Sequence, residues 1–166
     1  MQCKSSPFGL VVLLAIFLAA CATPSQHYVQ PKELTNPPSL ANSSSRTGLS
    51  HWSQFTVMYI DDLPVNYRRP LTDLFRDVDS MKLTPGQHKV LVKSEFDKEE
   101  SDCPCTALAT LHFNAAAGVE YKVVGEILGD SVEFWIIEQT SGKPVTERTR
   151  ADSVELEYSS PFIFKY

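Results

Sequence analysis

The sequence has no block of basic residues: 15 lysines and arginines are scattered among 20 aspartates and glutamates, for a formal charge of −5 at pH 7. Counterion release along a phosphate backbone has no footprint here, so nucleic acid is not an expected partner. The motifs that organise common active sites are missing as well. There is no Gly-x-Ser-x-Gly elbow, no His-Glu-x-x-His and no glycine-rich phosphate loop. His51, His88 and His112 therefore lack a recognisable set of partners for base catalysis. Asp61-Asp62 reads as turn chemistry at a strand end, where sequence neighbours point apart. The expectation is a non-catalytic protein without a cofactor or a resident metal. No internal repeat is present. The chain nevertheless has 43% apolar and 10% aromatic residues, enough for a packed core, which excludes a wholly disordered or collagen-like polypeptide.

Long apolar runs are also scarce. Leu10 to Ala20 carries no charge but is too short to span a bilayer, and it follows a stretch whose single cationic side chain is Lys4. It ends in Leu18-Ala19-Ala20-Cys21, which resembles the lipobox of bacterial lipoproteins. The resemblance implies that residues 1–20 are a signal peptide and that Cys21 is acylated, palmitate-like chains then holding the protein to a membrane. Several acyl chains exceed the marginal anchoring of a single one. Ala22, which is not Asp, implies sorting to the outer membrane of a Gram-negative host, facing the periplasm. Cys3 then leaves with the signal and Cys21 is a thioether, so Cys103 and Cys105 are the remaining thiols, in an oxidising compartment where they are expected to form a disulfide.

In a straight strand, residues two apart have Cα atoms about 6.5 Å from each other, near the upper limit for a disulfide, and Pro104 can bend them closer. The alternative is a metal-binding or redox accessory role, since two thiolates on one face suit Cu(I) or Zn(II). No histidine of the same hairpin completes such a site, because His112 lies about 23 Å from Cys105 along a straight strand and His88 pairs near that far end. The acidic stretch Asp97 to Asp102 lacks the glycine and the alternating oxygen ligands of a calcium loop, and reads as a solvated hairpin tip.

Residues 21–53 read as a lipidated N-terminus and a flexible tether, rich in Pro, Ser, Thr, Asn and Gln and poor in apolar side chains. From residue 54 to 166 the pattern turns to period two, the mark of half-buried strands. Strands are expected over Phe55 to Ile60, His88 to Phe96, Thr106 to Asn114 and Glu120 to Leu128, then through Gly129-Asp130 into a hairpin ending near Ile137. Val154 to Tyr158 and the final Phe162 to Tyr166 follow the same alternation. Pro70 to Arg76 suits one short helix. The fold class is all-β, an antiparallel sandwich of about six to eight strands. A membrane barrel fails because the charged rows leave no lipid-facing surface. Trp135 and Ile137 lie opposite Phe134 and Ile136. They are covered by residues 66–80 or the C-terminal run, or else they form an exposed patch for a protein or a sugar.

Two further stretches carry a resemblance: Phe55-Thr56-Val57-Met58-Tyr59-Ile60-Asp61-Asp62-Leu63-Pro64-Val65, and Leu83-Thr84-Pro85-Gly86-Gln87-His88-Lys89-Val90-Leu91-Val92. They resemble the "xVxIDGxxV" and "LxPGxHxVxV" halves of PEGA-like envelope modules, with Asp62 where glycine is usual and an insertion from Asn66 to Ser80. Ala115 to Val124 is similar to a segment of small envelope lipoproteins carrying the same sandwich. Together these stretches cover 31 of 166 residues. The resemblance implies a non-catalytic envelope module with an envelope protein or glycan as partner. In it Pro85-Gly86 forms a turn in which Gly86 supplies a positive φ.

Overall fold

The computed structural model describes residues 26–47, 51–66, 80–97 and 105–155. These form eleven strands: β1 Ser39–Ala41, β2 Ser43–Thr47, β3 His51–Ile60, β4 Leu63–Pro64, β5 Ser80–Lys82, β6 Gly86–Phe96, β7 Cys105–Ala115, β8 Glu120–Leu128, β9 Ser131–Glu138, β10 Thr149–Asp152 and β11 Val154–Glu155. The count exceeds the expected six to eight because β1, β2, β4, β5 and β10 are too short to show alternation. The helix expected over 70–76 lies outside the described residues, as does the run 162–166.

Two sheets face each other, in the orders β10-β9-β8-β1-β5 and β11-β7-β6-β3-β2, with β4 beside β3. The chain is an antiparallel-rich β-sandwich. The described pairs are antiparallel except β1 with β8. Alternation decides which side chains enter the core. Val90, Val92 and Phe96 of β6, Ala107, Ala109, Leu111 and Phe113 of β7, Tyr121 and Val123 of β8, and Val132, Phe134 and Ile136 of β9 are all buried, as expected. Edge-on ring contacts tie the layers together: Phe55 with Phe134 at 5.8 Å and Phe113 with Tyr121 at 5.1 Å between centroids. Ile127 departs from the expectation. It is 38% exposed, although its partner across the β8–β9 ladder, Val132, is fully buried. Val154 is exposed as well.

The tether is corrected over residues 26–47, and over 51–53, which belong to β3. Leu40 is fully buried, and β1 is an interior strand with β8 on one side and β5 on the other. Polar composition misleads here because β1 receives its apolar surroundings from its partners rather than from its own neighbours in sequence. At Asn42 the chain leaves one sheet for the other, and the Asn42 side chain accepts a hydrogen bond from the Val57 backbone at 2.9 Å, next to a bulge in β3. The domain therefore begins before residue 54.

The ends of the sandwich are distinct. One pole gathers the start of β1, the β3–β4 turn, the approach to β6, the β7–β8 turn and the end of β9. The other holds the end of β6, the start of β7 and the Gly129-Asp130 hairpin. β6 and β7 have 11 residues each, so the poles are about 35 Å apart.

Candidate functional site

The densest polar cluster of the described residues lies at the first pole. Ile60 pairs with Leu63 across a two-residue turn, and both turn residues have positive φ, 50° at Asp61 and 64° at Asp62. Such a turn matches the twist of its strands, and Asp tolerates the left-handed region better than most residues. Its carboxylate explains why Asp61 stands there. Oδ1 accepts from the Lys89 backbone N–H at 2.9 Å and Oδ2 meets Nδ1 of His88 at 2.7 Å, while the Asp61 N–H donates to the Lys89 carbonyl at 2.8 Å. Asp62 makes an exposed ion pair with Lys89, 2.6 Å from Nζ. The β3–β4 turn is thus tied to β6. Gly86, just before His88, has φ 130°, on the positive side as expected.

The His88 side chain is 4% exposed, and its Nε2 lies 2.7 Å from the Thr84 carbonyl, with the Thr84 hydroxyl at 3.5 Å. Asp61, His88 and Thr84 thus have the order of a carboxylate–histidine–hydroxyl triad. Their chemistry differs. A carbonyl oxygen only accepts, so Nε2 donates to it and does not offer a lone pair to the Thr84 hydroxyl. Both ring nitrogens are used in holding the approach to β6 against the turn.

Tyr28 closes the cluster from the N-terminal segment. Its N–H donates to the Pro64 carbonyl at 3.0 Å and its hydroxyl to the Lys82 carbonyl at 2.8 Å. Burial, and then the nearby Asp61 charge, push the Tyr28 pKa up to about 12. Further bonds dock the same segment: the Lys82 N–H donates to Gln30 Oε1, the Gly118 N–H to the Asn36 carbonyl and the Leu83 N–H to the Pro38 carbonyl. Asn36 itself has φ 61°. Sequence reasoning passed over Tyr28, Asn36 and Asn42. An aromatic residue placed just ahead of a proline-rich stretch was the available signal for the first.

Among the described residues the other candidates do not gather. Cys21 and Cys103 lie outside the described residues. Cys105 is a buried thiol opposite Phe96, at the pole remote from His88. His112 is exposed on the outer face of β7 opposite Lys89, and nothing is described of the His51 side chain. Among the described residues no cluster of histidine, cysteine and carboxylate can hold a metal ion. In the acidic stretch, Asp97 accepts from the Trp52 N–H at 2.7 Å, and residues 98–102 lie outside the description. Trp135 and Ile137 are half-buried, and among the described residues the segment after β9 lies over them; residues 67–79 and 156–166, the expected cover, lie outside the described residues. The Arg148 guanidinium lies 4.1 Å over the Trp135 ring, and Ile137 bridges to Pro144. Arg148 Nη1 donates to Glu133 and to Glu126, both at 3.0 Å. The Glu133 bond foremost raises the guanidinium pKa against a smaller opposing effect of burial.

Compared with known protein families, curated proteins and solved structures, the chain matches none.

Proposed function

We propose that this protein is a lipid-anchored envelope protein, attached through Cys21 to the outer membrane on its periplasmic side, whose β-sandwich binds or supports other envelope components and performs no catalysis. The observation that carries the non-catalytic part is the state of His88. Among the described side chains it is the one histidine placed between a carboxylate and a hydroxyl, and its Nε2 lies 2.7 Å from a backbone carbonyl, closer than to the hydroxyl. The lipobox-like Leu18-Ala19-Ala20-Cys21 supports the anchor. The PEGA-like resemblance gains support because the Asp of its first half and the His of its second are bonded to each other. Asp62, in the glycine position of that pattern, has the positive φ that glycine would supply.

Radiolabelled palmitate and membrane fractionation of Cys21→Ala against the native chain test the anchor. Label and pelleting are expected to be lost together, and a variant still in the membrane pellet after a salt wash overturns it. A thiol and metal count on purified protein tests the module. Stoichiometric copper or zinc would replace this reading with a metal accessory role for Cys103 and Cys105.

A further inference from the structure

The acyl anchor and the folded domain are separated by far less chain than composition implies. Tyr28 is already docked, through Pro64 and Lys82, and the docking continues through Gln30, Asn36 and Pro38. From Cys21 to Tyr28 the chain spans at most about 25 Å, whereas a free coil to residue 54 would reach more than about 100 Å. The docked segment enters at the pole carrying Asp61, Thr84, Gly118 and the start of β1. On it, Val29 is 75% exposed and Leu34 41%. The opposite pole is about 35 Å further along the strands.

Resting on the anchored reading above, we infer that the sandwich stands end-on at the membrane. The Tyr28–Asp61 pole lies against the lipid headgroups, with Val29 and Leu34 facing them, and the Cys105 pole points away from the bilayer. The short leash confines the first pole to the headgroup layer, and two apolar side chains left uncovered on the docked segment then have an interfacial partner. Contacts with more distant envelope components fall to the far pole and to the outer faces of the sheets.

The test uses full-length protein extracted from membranes, with the lipid on Cys21 verified by mass, and reconstituted into vesicles whose headgroups carry chelated gadolinium. A clickable amino acid at Ala117, exposed in the β7–β8 turn, or at Asp152, exposed near the far hairpin, carries a nitroxide and leaves the native cysteines untouched. Gadolinium-enhanced relaxation falls with the inverse sixth power of distance, so the label at 117 is expected to relax at least about tenfold more strongly than the label at 152. A long Gly-Ser spacer inserted between Ser25 and Gln26 should remove that difference while leaving the melting temperature unchanged. Equal enhancement at the two positions, stronger enhancement at 152, or a difference that survives the spacer overturns the end-on arrangement. Absence of lipid on Cys21 overturns the anchor instead, and the mass measurement tells the two failures apart.

Discussion

The Phe55 ring on β3 fills the space into which a side chain at Gly125 on β8 would project, so the two sheets interlock at this pair. Gly125 lies opposite Phe134 in the β8–β9 ladder, and Phe134 meets the Phe55 ring edge-on. The glycine is what lets three elements share one volume.

A β-carbon at position 125 would overlap both the Phe55 ring and the Glu133 carbonyl. Gly125→Ala is expected to cost about 1–3 kcal/mol in urea denaturation, the usual range for overpacking a core. Phe55→Leu combined with it should recover part of that loss, giving a non-additive double-mutant cycle. Strict additivity would mean that the ring is not the obstacle.

The two turn aspartates should respond in opposite directions. Asp62→Gly relieves a left-handed backbone and loses only an exposed ion pair, so it should stabilise by about 0.5–1 kcal/mol. Asp61→Gly relieves the same kind of strain but strands the Lys89 N–H and the buried His88 ring, for a net loss of about 1–3 kcal/mol. Equal changes in chemical denaturation would show that the Asp61 carboxylate does not hold β6.

High pH should loosen the docked N-terminal segment. Tyr28 ionises near 10 in the unfolded chain and at about 12 in the fold. Between these values the unfolded chain has released a proton that the folded chain retains, so stability falls as pH rises from about 10 to about 12. In Tyr28→Phe that part of the decline should disappear. Comparing the alkaline unfolding curves of the two proteins isolates it from the other titrating groups.

β1 should prove indispensable despite its length. Leu40→Ala is expected to cost about 2–5 kcal/mol, the range for a fully buried leucine. Deleting residues 39–47 should abolish cooperative melting. A truncated chain that melts like the native one would mean that β1 and β2 are accessory.

The long strands were legible because each repeats the in–out alternation several times: β8 was read from Glu120 to Leu128 and forms over those residues. The Gly129-Asp130 hairpin was legible from its turn residues, and Gly129 has φ 64°. β1 was illegible because Ser39, Leu40 and Ala41 offer one large apolar side chain and no period. Its burial comes from β5 and β8, which lie far away in sequence. The polar cluster was half legible. Asp61 and His88 stood out as members of two motifs, but their meeting depends on the β3–β6 register, where Ile60 pairs with Val90 after a bulge that no local pattern announces. The contact of Arg148 with Trp135 was illegible because it comes from a loop whose sequence carries no pattern that marks it.

The crossing of the chain at Asn42 has a mechanical consequence. A pull on the N-terminal end first loads the bonds of Tyr28, Gln30, Asn36 and Pro38, then enters β1 at Ser39 and runs along the strand axis, where hydrogen-bonded ladders to β5 and β8 must slide together rather than open one bond at a time. Any load that passes beyond Asn42 meets β2, held in the other sheet against β3. The segment from Ser39 to Thr47 therefore behaves as a rivet through both layers, and tension at that end presses on the fold as a whole before it can peel away a single strand.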